Sequence, residues 1–167
     1  MIVCVLTPSL ALRAALGEEQ QRLREPIALG PQHDEAPVLG QVSPTAHELG
    51  VRPGMRLSEA LDICPRLGLV TPDPGRAAEI HELVLRRLEG IGAGVDSGRE
   101  GEIFFESDGL ERLHGGPEGV LAAVSGRLGP SVLSAAAPTR LAAFALARQS
   151  AGDAAPATRA AVLTEAR

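Results

Sequence analysis

Five prolines punctuate this chain, each where an apolar run gives way to a helical pattern: Pro8, Pro44, Pro74, Pro117 and Pro138. Proline suits the first turn of a helix, where the amide hydrogen it lacks would have no partner, and it breaks a helix interior. Short strands are therefore expected before these points and helices after them. Apolar runs at 2–6, 26–29, 37–42, 67–70, 102–106 and 131–135 are the strand candidates, with a last short one at 160–164. The longest helix is expected from 73 to about 91, because Ala77, Ile80, Val84, Leu88 and Ile91 recur at spacings of three and four. Such alternation favours an α/β or α+β sheet with helices on one face.

A length of 167 residues fits one domain with a normal core. With three Phe and no Trp or Tyr, that core has to be built from Leu, Val, Ile and Ala. No apolar run reaches the ~18 residues of a membrane span. The start, MIVCVLTPSL, carries no basic segment and reads as a first strand, not a signal peptide. Cys4 and Cys64 are isolated, without zinc-ligand spacing or a placed histidine, and are expected to be core thiols in a reducing cytoplasm. His33, His47, His81 and His114 share no metal-ligand spacing and are expected at the surface or in turns. No metal or cofactor is expected. A net charge of −5 argues against tight nonspecific nucleic-acid binding by the chain alone.

Residues 93–116, AGVDSGREGEIFFESDGLERLHGG, combine a Gly- and Ser-rich turn, an apolar strand and a short helix. Asp108 with Glu111 three residues on reads as a capping box. Glu102 is the one carboxylate at the turn-to-strand junction; it is either a ligand facing a site or a solvated strand-edge residue. Arg52, Arg56 and Arg66 surround the small helices, either as a solvated basic face or as backbone contacts to nucleic acid. Arg52-Pro53-Gly54 is turn chemistry, since no Gly-Lys-Ser/Thr follows.

GVRPGMRLSEALDICPRLGLVTPD (50–73) resembles the fingers-to-palm segment of Y-family translesion DNA polymerases, the DinB/UmuC group. LERLHGG (110–116), APTRLAAFALAR (137–148) and CVLTPSLALRAAL (4–16) look closer still to its noncatalytic ImuB-type branch. The resemblance implies an α+β fold: a palm-like, mainly antiparallel sheet with helices on one face and a small helical fingers-like insertion. Residues 1–150 would form that single domain, with the insertion at about 43–66 and a connector at 151–167. Thumb and little-finger domains are expected to be absent.

Carried over residue by residue, the family's first two acidic positions fall on Leu6 and Pro8, and the second pair on Gly101 and Glu102. The Tyr and Arg that hold the incoming triphosphate fall on Pro44 and His47. Two divalent cations about 4 Å apart need several convergent carboxylates, and one glutamate does not supply them. The expectation is therefore a chain that is not an enzyme: an ImuB-like adaptor in DNA damage tolerance, contacting a repair or recombination protein, with a RecA-related partner implied. DNA contact would be weak or indirect. The alternative is a residual module for single-stranded or primed DNA, using Arg52, Arg56 and Arg140. A cytoplasmic location is expected, without membrane contact.

Overall fold

The structure, a computed structural model, describes residues 1–32, 36–150 and 160–162. The chain divides into two compact units, Met1–Pro8 with His81–Arg167, and Ser9–Ile80.

The first unit is built on a five-stranded sheet. β1 (Ile2–Leu6) is central and pairs antiparallel with β5 (Glu102–Glu106) on one side and β6 (Leu133–Ala137) on the other. β4 (Val95–Arg99) extends the sheet antiparallel beyond β5, and β7 (Ala160–Val162) lies parallel to β6, giving the order β4-β5-β1-β6-β7. The fold is α+β with a mainly antiparallel sheet.

Alternation along β1 sends Val3 and Val5 to one face and Cys4 and Leu6 to the other. The first pair packs with Ile103 and Phe105 against the later part of α4 (Pro74–Glu89), α5 (Asp108–His114) and α6 (Pro117–Leu128), through Val84, Leu88, Leu110 and Val124. Cys4 and Leu6 pack with Leu133, Ala135 and Ala137 against α7 (Arg140–Gln149), through Ala143 and Ala147. Helices thus cover both faces of the sheet, not one. The reason lies in β6, whose five residues LSAAA are all buried and demand cover on each side. Facing alanines let α7 come close.

The second unit joins β2 (Ile27–Leu29) and β3 (Gly68–Val70) in a parallel pair. Around them lie α1 (Leu10–Leu16), a 3₁₀ turn (Gln20–Arg24), α2 (Pro44–Glu48) and α3 (Leu57–Ile63). Ser43 anchors this unit: its buried hydroxyl donates to the Glu25 carbonyl at 2.7 Å and accepts the N–H groups of Ile27 and Ala46, each at 3.2 Å. The strand expected at 37–42 does not form; isolated bridges Ala28↔Val42 and Val38↔Arg56 stand in its place. Gly40 still lies close against β2: its N–H donates to the Leu29 carbonyl at 3.0 Å, and a Cβ there would press on Leu29 at 3.0 Å.

Pro44, Pro74 and Pro117 each open a helix, as expected. Pro8 and Pro138 instead precede the N-cap residues Ser9 and Thr139. Thr139 accepts the N–H of Ala142 at 3.2 Å, whereas Ser9 adopts a left-handed conformation (φ 53) without a side-chain cap. Among the described residues no helix is long and apolar enough to cross a membrane. Of the connector expected at 151–167, only Ala160–Val162 falls within the described residues, as β7.

Candidate functional site

The end of β1 and the β4–β5 turn meet. Leu6 pairs with Glu102 across the ladder, and the Thr7 N–H donates to the Gly101 carbonyl at 2.9 Å. Gly101 holds φ 81, a left-handed value that glycine adopts without strain. Its own N–H donates to His81 Nδ1 at 3.2 Å, and His81 Nε2 lies 2.7 Å from Ser97 Oγ. Because Nδ1 accepts, the imidazole is the neutral form with its proton on Nε2, donated to Ser97.

His81 is therefore a structural hub, 9% exposed, and not the surface or turn residue expected. A signal was available: it lies three residues before Val84 and seven before Leu88, on the buried stripe of α4. Of the remaining histidines, His47 is exposed, His114 is half-buried and His33 lies outside the described residues.

The four residues Leu6, Pro8, Gly101 and Glu102 are brought to one end of the sheet, and Glu102 alone among them bears a carboxylate. Glu102 shares a sheet face with Cys4. Burial first, and then that carboxylate, pushes the Cys4 thiol up to about 12. A thiol so held carries no nucleophilic thiolate near neutrality. A hard divalent cation takes several oxygen ligands. This donor set does not fit a cation pair, and among the described residues no group of three His, Cys, Asp or Glu could hold a metal ion.

Beside Glu102 opens a cleft of about 360 Å³, lined by Arg99, Glu102, Phe104, Arg140, Leu141 and Phe144. Leu141 is 78% exposed at its rim. The Arg140 guanidinium stacks 5.4 Å from the Phe104 ring and pairs with Asp96. This cation is already engaged within its own unit.

In the second unit, Pro44 and His47 are exposed on the short helix α2. Arg52 Nη1 donates to the carbonyls of His47 at 2.6 Å and Val51 at 3.0 Å, which folds it back on its own loop. Arg56 sits exposed at the start of α3. Thus Arg52 and Arg56 belong to one unit and Arg140 to the other, and two of the three are tied down.

The sequence model of the impB/mucB/samB family matches residues 13–148. No curated protein matches the chain. Among solved structures, the post-insertion binary complex of Dbh DNA polymerase is similar at 16% identity and a TM-score of 0.75, covering 98% of this chain and 48% of that one. DinB from Sulfolobus solfataricus gives 16% identity and a TM-score of 0.72 over 98% and 48% of the two chains. A Y-family DNA polymerase chimera of Dbh and Dpo4 gives 14% and 0.67 over 89% and 46%. The chain thus spans about half the length of the structures it matches. These matches overturn the expectation that the chain is not an enzyme: the folds it shares are those of DNA polymerases, which are enzymes. A lone Glu102 does not place the chain outside them.

Proposed function

The chain belongs to the impB/mucB/samB family, and on that footing we propose that it is a Y-family polymerase-like domain serving DNA damage tolerance as an adaptor. In this reading it works in the cytoplasm and holds a repair or recombination protein, of which a RecA-related protein is the first candidate.

One observation carries it. Where β1 ends, buried Leu6 faces Glu102, and the adjoining cleft offers the apolar edge of Leu141, 78% exposed, in place of converging oxygens. Exposed apolar side chains at a cleft rim suit contact with protein. Contact with single-stranded or primed DNA is the lesser reading, because two of its three arginines, Arg52 and Arg140, are not free for phosphate. Both are engaged, by two carbonyls and by Asp96 respectively.

The test is affinity capture with the whole chain as bait, from cells exposed to a DNA-damaging agent. A recombination or repair protein should be recovered reproducibly. Recovery of none, alongside salt-sensitive binding of primed DNA, would replace the adaptor reading with the DNA-binding one.

A further inference from the structure

Residues 9–80 enclose a hollow of about 740 Å³ that the site above does not use. Pro37, Val38, Leu57 and Leu61 form apolar walls, and Arg56 supplies a cation. The walls are fixed by backbone pairing: Leu39 N–H donates to the Met55 carbonyl at 2.8 Å, and Leu57 N–H to the Pro37 carbonyl at 2.9 Å. Val38 and Leu61 are each 37% exposed. Among the described residues the Arg56 side chain has no hydrogen-bond or ion-pair partner, and it is the one charged residue lining the hollow.

Such a surface asks for two things at once, a bulky apolar group for the walls and a carboxylate for Arg56. We propose that this hollow is a docking site for a protein segment carrying a large apolar anchor beside an Asp or Glu. The proposal rests on the adaptor reading for the class of partner and adds where and how it is gripped. Nucleic acid fits poorly. Base stacking needs aromatic faces, and the three Phe of the chain, at 104, 105 and 144, all lie outside residues 9–80, with no Trp or Tyr anywhere.

The test selects a display library of random dodecapeptides on the immobilised whole protein, then titrates enriched peptides by fluorescence anisotropy. Enriched sequences should pair a large apolar residue with an acid. Leu61→Asp and Arg56→Glu should each weaken binding about tenfold or more, as loss of an anchor does, while Arg56→Lys keeps most of it. Melting curves check folding, and Leu61→Ala replaces Leu61→Asp should the latter melt early.

No enrichment, enriched peptides without an acid, or unchanged binding by either disruptive variant overturns the proposal. Single-stranded oligonucleotide binding at low salt that Arg56→Glu abolishes would assign the hollow to nucleic acid. A dimer seen by ultracentrifugation and lost in Leu61→Asp would assign it to a second copy. Capture from damaged cells separates the two readings: a repair protein retained by Leu61→Asp sinks the hollow and spares the adaptor. Peptide binding without any captured repair protein does the reverse.

Discussion

His81 and Gly101, twenty residues apart in the chain, share a buried hydrogen bond in which the imidazole Nδ1 accepts the glycine N–H at 3.2 Å. Gly101 in turn receives the Thr7 N–H on its carbonyl, so the β4–β5 turn is held from α4 on one side and from β1 on the other. Removing the imidazole leaves a buried N–H without an acceptor, a cost of about 1–3 kcal/mol. His81→Ala should therefore lower stability by that amount in urea unfolding. Amide exchange at Gly101 should quicken more than at Val3 or Val5. Equal change at all three would mean the imidazole matters only as packing volume.

Alkaline stability should report on Cys4. Its folded thiol is pushed from an ordinary value near 9 up to about 12. Below the unfolded value both states hold the proton and nothing is lost. Above it, unfolding releases a proton that the folded state keeps, so stability falls as pH rises from 9 towards 12, by a few kcal/mol. The sequence contains neither Lys nor Tyr, which removes the commonest groups that titrate in the same range. Chemical unfolding of the wild type and Cys4→Ala across that window should show a pH slope that the variant loses.

Two glycines in successive helices should respond oppositely to alanine. In α6, a Cβ at Gly119 would run into the His114 carbonyl at the end of α5. A clash with backbone that cannot swing away costs ~1–3 kcal/mol, so Gly119→Ala should melt early. Gly109 in α5 has nothing within 4 Å of such a Cβ. Gly109→Ala should gain ~0.5–1 kcal/mol from restricting the unfolded chain. Differential calorimetry of the two variants checks both signs.

Leu6→Asp would set a second carboxylate opposite Glu102 in a position now only 7% exposed. Burying an unpaired charge beside a like charge costs several kcal/mol. The variant should melt well below the wild type, and millimolar manganese should restore part of the loss by bridging the two acids. A melt unmoved by manganese would show that the pair cannot converge on one ion.

Legibility of the sequence followed the kind of signal each element carries. The stripe Ala77, Val84, Leu88 and the run Ile103-Phe104-Phe105 announce α4 and β5 because they fill a core with a fixed period. β4 was hidden: Val95–Arg99 is VDSGR, with one apolar residue, and edge pairing to β5 with a bulge between Ser97 and Arg99 makes it a strand. The second helical layer was hidden as well, since the all-buried β6 reads as a small-residue run without alternation. At the site, the convergence of Leu6 with Glu102 could be placed by resemblance. The burial of His81 is legible from its place on the α4 stripe, but its hydrogen bond to Gly101, twenty residues away, is not.

β1 emerges from the ribosome roughly a hundred residues before β5 and still longer before β6, the two strands that flank it. Residues 9–80 are contiguous and can settle during that interval. The apolar IVCVL segment meanwhile waits with both backbone edges open, a template for wrong pairing between nascent chains. Slow translation or a holding chaperone would lengthen or shield that interval, so yield of folded protein should depend on the cell's handling of this strand.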